Sequence, residues 1–122
     1  MSMTPTALLL LFAGFQAKHF AADYLLQSAG MVRWKGTYGN LVGASHSVVH
    51  GALTLVVLLA LAPLSPALAV AVALGEIVVH YHTDWTKEWA VRRLGYTMRQ
   101  KGYWALFGLD QFLHQMTYVG IL

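Results

Sequence analysis

Residues 67–89, "ALAVAVALGEIVVHYHTDWTKEW", decide how the chain is read. The first half is apolar enough to lie in lipid, yet the second places two histidines, two acids and a lysine within residues 80–88. Ionisable groups are costly inside a bilayer, and where they occur they mark ion, ligand or proton sites. The stretch therefore reads as a membrane span with chemistry at one end.

The rest of the composition agrees with a membrane protein. Of 122 residues, 57% are hydrophobic and 11% charged, with a mean hydropathy of +0.54, far from the usual soluble mix. A bilayer core of about 30 Å takes roughly 20 apolar residues per helix. The length thus allows three or four crossings in one domain, residues 1–122, and no separate soluble unit. With no cysteine, disulfides, thiolate ligands and cysteine nucleophiles are excluded, which leaves His, Asp, Glu and Lys for any chemistry. The net charge of +3 comes from basic residues grouped beside apolar segments, so nucleic acid is not an expected partner.

Four spans are expected, at about 4–28, 41–62, 67–89 and 103–122. Thr4-Pro5 is a helix start, and no Lys or Arg precedes the first apolar run, which argues for a retained span rather than a cleaved signal. "PLSP" at 63–66 is too short to be anything but a hairpin turn between spans two and three. Arg33 and Lys35 follow span one, and Arg92, Arg93, Arg99 and Lys101 follow span three, whereas the turn between spans two and three is uncharged. By the positive-inside rule both basic loops are cytoplasmic. The expected fold is an all-α transmembrane four-helix bundle, up-down-up-down, with both termini on the non-cytoplasmic side. Trp34, Trp85, Trp89 and Trp104 lie near the basic ends as interfacial anchors.

Each span carries ionisable residues four apart: His19 and Asp23, His46 and His50, His80 and Asp84, Asp110 and His114. That spacing puts both members of a pair on one helix face. Measured from the cytoplasmic end, the pairs lie about 8–18 Å deep in all four antiparallel helices, so they share one layer. Five imidazoles and three carboxylates exceed one tetrahedral site and suit two divalent ions held across a bundle. An all-N/O donor set fits zinc, iron or manganese. Gln16, Gln27, Gln111 and Tyr118 extend the same faces and are expected to orient the ligands. Glu76, four before His80, is read as a further ligand or a general base, and Lys87 as a cation that meets an anion or reaches the interface. His82, two positions from His80 and Asp84, falls on another face. Lys18 is expected to snorkel or to face a partner, and Glu88 to face water or headgroups.

With "HFAADYLLQ" (19–27), "HSVVH" (46–50), "HYHTDWTK" (80–87) and "DQFLH" (110–114) in this order, the chain resembles the DUF3307 family of small bacterial and phage membrane proteins. The resemblance covers nearly the whole length and implies a bacterial cytoplasmic-membrane location; the family's name carries no reaction. The second histidine of "HYHTD" departs from the pattern and leaves His80 and His82 as competing ligands. A more distant likeness of pattern is to membrane-bound metal-dependent hydrolases.

The leading expectation is a membrane-embedded dinuclear metal-dependent hydrolase acting on a lipid-borne ester or phosphoester. Membrane lipid is then the partner, with a homo-oligomer or a larger membrane complex as further options. A non-catalytic metal carrier or sensor, or a structural subunit held by a polar centre, are the alternatives from other classes.

Overall fold

The structure, a computed structural model, describes residues 2–122. It is all-helical, with no strand among the described residues. Helix α1 (Pro5–Phe20) begins where the Thr4 hydroxyl accepts a hydrogen bond from the Ala7 N–H at 3.2 Å and Pro5 occupies the first turn. It runs on into a π-helical turn, Ala21–Leu25. A short α2 (Ala29–Trp34) follows, capped by Ser28. Asn40 caps α3 (Leu41–Leu61) by accepting from the Val42 and Gly43 N–H groups. Ser65 and Pro66 start α4 (Pro66–Leu94), and Gly95, at φ +68°, ends it in a left-handed cap that glycine adopts without strain. Helix α5 (Lys101–Ile121) completes the chain.

The four long helices close a ring, with α3 between α1 and α4, and α5 between α4 and α1. Its tightest seam is α3 against α4, as the short "PLSP" turn demands. A Cβ at Gly51 would run into the Ile77 side chain and lie 3.0 Å from the Ala73 carbonyl oxygen, so only glycine permits that approach. Gly43 likewise lets α3 close on the Trp34 backbone at the end of α2.

Several boundaries differ from the sequence reading. The first helical segment stops at Leu25 instead of residue 28, because the π turn exhausts itself and Ser28 then opens α2, which was not expected. Helix α4 extends to Leu94, beyond the expected end at 89, since nothing breaks it before Gly95. By length and composition α3 and α4 can cross a membrane. The others differ for physical reasons: α1 is 16 residues before its π turn, and α5 carries Lys101, Asp110, Gln111, His114 and Gln115 among its 21.

Burial is inverted relative to a soluble bundle. Leu9, Leu25, Leu41, Val56 and Val78 are each more than half exposed, while twelve charged, histidine, serine or threonine side chains on the four helices are buried. Inside the ring, the two ends differ. Leu11, Phe15, Leu58, Ala69 and Tyr118 form an apolar core at the end nearest the α3–α4 turn, supported by Leu55, Val72 and Ile121. The half toward Leu25 and Leu94 is filled with histidines and aspartates.

Candidate metal centre

The inward stripe of each helix changes chemistry along its length while keeping its register. On α3 the buried positions include Gly43, His46, His50, Thr54 and Leu58; on α4 they are Ala69, Ala73, Glu76, His80, Asp84, Lys87 and Val91; on α5 they are Asp110, His114 and Tyr118. Steps of three and four keep all of these on one face. The i, i+4 pairs therefore meet inside the ring.

Two sets of donors result. In the first, Asp23, His46, His50 and His80 offer atoms that all lie within 4.8 Å of one another; in the second, His80, Asp84 and His114 do the same. Asp23 Oδ1 is 2.8 Å from His50 Nε2 and 3.3 Å from His46 Nε2, and its other oxygen is 3.1 Å from His19 Nε2. Asp84 Oδ1 is 3.0 Å from His114 Nε2, and Asp84 Oδ2 is 3.5 Å from His80 Nε2 and 3.6 Å from His46 Nε2. Asp110 Oδ1 approaches His114 Nε2 at 3.4 Å. The rings of His50, His80 and His114 stack in a row, at centroid separations of 3.8 and 4.1 Å. His80 is the middle ring and belongs to both sets, so the two share a wall.

Nitrogen and carboxylate atoms gathered this closely, with few water-facing edges, match what a divalent ion asks of its ligands. His80 Nε2, Asp84 Oδ2 and Asp110 Oδ1 are buried without a hydrogen-bond partner, and unsatisfied buried polar atoms are rare unless something else binds them. These buried His/Asp groups can hold a metal ion. Of the eight residues expected as ligands, six form the two compact sets; His19 and Asp110 stand at their edges, each in contact with a member. His80 is buried and belongs to both sets, whereas His82 is exposed and bonds Tyr38 Oη at 2.9 Å and the Val78 carbonyl at 2.7 Å.

The surrounding polar groups divide. Tyr118 Oη lies 2.7 Å from His19 Nδ1, and Gln111 Oε1 lies 3.1 Å from His19 Nε2, while Gln111 Nε2 donates to Asp110 Oδ2 at 3.1 Å. Gln27 bonds the Asp23 carbonyl and accepts from Lys35 at 3.4 Å. Gln16 does not reach the centre; its amide donates to Gln115 Oε1 at 2.7 Å, tying α1 to α5.

Lys18 corrects the sequence reading most sharply. It does not snorkel: only 4% of it is exposed, and its ammonium forms an ion pair with Glu76 across the ring, 3.4 Å from His50 Nδ1. The signal was present in register, since Leu11, Phe15, Lys18 and Ala22 follow steps of four, three and four. Glu76 accordingly sits behind His50 as the partner of Lys18, outside both donor sets. Lys35, expected only as a topology signal, also reaches in, with its ammonium 3.7 Å from Asp84 Oδ2. Lys87 is 8% exposed, pairs with Glu88, whose side chain is 28% exposed, and lies 5.8 Å from the Phe107 ring centre. A cavity of about 100 Å³, lined by Asp23, Lys35, Asp84, Lys87, Asp110 and Gln111, adjoins the carboxylates.

Fold and site together define a small all-helical protein with a buried histidine–aspartate centre, fed by every long helix. The chain belongs to the DUF3307 family, a family of proteins of unknown function, whose model matches residues 8–122. No curated protein and no solved structure matches the chain.

Proposed function

We propose that the protein is a membrane-embedded dinuclear metal-dependent hydrolase that acts on a lipid-borne ester or phosphoester. All four long helices cross the bilayer in this reading, with the basic loops cytoplasmic and both termini outside. Inverted burial supports the membrane part: a leucine- and valine-rich exterior around an ionisable interior suits lipid, where backbone polar groups are satisfied within helices.

The observation that carries the proposal is the sharing of His80 between two donor sets built from three imidazoles, two carboxylates and a further imidazole at His114. Two ions at these sets would lie side by side, an arrangement that activates water and steadies a leaving oxygen in hydrolysis. Asp23, His46 and His50 would hold one ion; Asp84 and His114, with Asp110 beside them, would hold the other. Tyr118 and Gln111 keep His19 oriented. Lys35 and Lys87 border the adjoining cavity and supply positive charge for an anionic ester. Zinc, iron and manganese all suit these donors.

The carrier alternative needs a polar route to the opposite membrane face. Leu11, Phe15, Leu58 and Tyr118 plug that half of the ring, which favours a site that turns over in place. Elemental analysis of the detergent-purified protein tests the reading. About two divalent ions per chain are expected, and His50→Ala is expected to lose at least one while the protein stays monodisperse. Folded protein free of divalent metal after purification without chelators and reconstitution with each of the three metals would end it.

A further inference from the structure

We infer that the groove between α4 and α5 is a binding site for one acyl chain of a phosphate-bearing membrane lipid, placed so that the lipid reaches the centre sideways. The groove has a volume of about 450 Å³ and is walled mainly by Val78, Val79, Ala90, Leu106, Leu109 and Leu113, with His82, Thr83 and Thr86 on the α4 side. Val79, Leu109 and Leu113 are each close to half exposed, so the groove faces whatever surrounds the bundle. Its volume is that of a ligand site.

Three observations commit it to a lipid chain. The first is length: along α4 the lining runs from Val78 to Ala90, about 18 Å at helical rise, close to the roughly 15 Å of one leaflet's hydrocarbon. The second is continuity, because Lys87 and Asp110 line both this groove and the small cavity beside the carboxylates. The apolar channel thus ends at the donor sets. The third is charge: Lys87 lines both the channel and the cavity, at the end nearer the basic loops, and Lys35 lines the cavity beyond it. A chain lying toward Val78 with its phosphate at Lys87 satisfies both parts, since Lys acts as a point charge for phosphate. Glu88 already pairs with Lys87, and its partial exposure lets it release that contact to water. Asp23, Asp84 and Asp110 all line the cavity beyond, so the phosphate stays at Lys87, where Asp110 alone of the three also lines the groove. The placement rests on the proposed hydrolase only for the fate of the lipid; binding itself is separable.

The test uses the whole chain in nanodiscs containing a trace of phosphatidic acid with a photoreactive group midway along one acyl chain, followed by peptide mapping. Labelling is expected on α4 and α5 at residues 78–90 and 106–113. It should fall about tenfold when unlabelled phosphatidic acid is in excess and stay unchanged with diacylglycerol of the same chains. Leu109→Trp and, separately, Val79→Trp fill the channel from opposite walls and are each expected to reduce labelling about tenfold while metal content is kept. Lys87→Gln is expected to remove the preference for the phosphate-bearing competitor. Labels spread evenly over the outer faces of all four helices, or unchanged labelling in both tryptophan variants, would overturn the groove. Metal content read on the same samples separates the two ideas: groove-confined labelling without metal sinks the hydrolase alone, and bound metal with scattered labels sinks the groove alone.

Discussion

The two halves of the ring are built on the same four helices and the same inward stripes, yet they hold together by opposite means. Around Leu11, Phe15, Leu58, Ala69 and Tyr118, contact between the helices is mainly apolar. Around His50, His80 and His114, imidazoles stack on one another and carboxylates crowd them, leaving His80 Nε2, Asp84 Oδ2 and Asp110 Oδ1 without hydrogen-bond partners. Dispersion between close-packed groups serves the first half in lipid as it does in water. The second half is costly on its own, because buried polar groups left unpaired carry their full desolvation cost. A bundle needing only stability would repeat the first half; the second gathers groups that can hold a metal ion.

The largest effect should come from removing the carboxylate that touches most partners. Asp84 contacts His46, His80, His114 and Lys35, so Asp84→Asn, which keeps the shape and removes the charge, is expected to lower metal content from about two ions per chain to about one. Inductively coupled plasma analysis reads this directly, and an unchanged ratio would mean that the second donor set holds no ion. Next in size is Lys18→Met. It strands Glu76 as an unpaired charge among groups that are nearly all buried, for which a loss of about 3–5 kcal/mol is typical. Adding Glu76→Leu should return most of that stability in thermal unfolding, since replacing both partners of a buried pair by apolar groups is often close to neutral. If the double variant melts as low as the single one, the pair is part of the centre and not merely its neighbour.

How much of this was legible follows from which signals are periodic. The pairs His46/His50, His80/Asp84 and Asp110/His114 repeat at one helical turn, so their shared face and level could be read without coordinates, as could the hairpin at "PLSP" and the start at Thr4. His80 could not be chosen over His82 by spacing to the other helices; that required knowing which face of α4 meets the ring. Lys18 was misread because a charged residue beside an apolar run invites snorkelling, although its register with Leu11, Phe15 and Ala22 pointed inward. The π turn at Ala21–Leu25 has no mark in the local sequence, and it sets how Asp23 is presented beside His19. Lys35 enters the cavity only because the short α2 folds it back, an element that the loop composition did not announce.

The apolar half can be weakened without touching the donors. Phe15 is fully buried and stacks on Tyr118 at 5.4 Å with the planes 10° apart. Phe15→Ala is expected to cost about 2–3 kcal/mol, somewhat under the 3–5 kcal/mol usual for such a change in a water-soluble core, because in the proposed bilayer setting the transfer part of the driving force is missing and lost packing remains. Metal content should hold. Loss of both stability and metal together would show that the halves do not act independently.

Tyr118 is where the halves join, and it provides the smallest and most selective test. Its ring belongs to the apolar core through the stack on Phe15, while its hydroxyl stands 2.7 Å from His19 Nδ1. Tyr118→Phe keeps the ring, so the melting temperature of metal-free protein should hardly move. What it removes is the partner of the His19 nitrogen that faces away from Asp23, and with it the restraint on the ring's orientation. Loss of a group in that position typically weakens metal binding by about 10–100-fold. A competition titration with a chelator, run on the variant and on the parent chain, reads that ratio. Equal affinities would place His19 outside the ligand field and leave it a packing residue, whereas weaker binding with an unchanged metal-free melt would locate the border between the two halves at the Tyr118 hydroxyl.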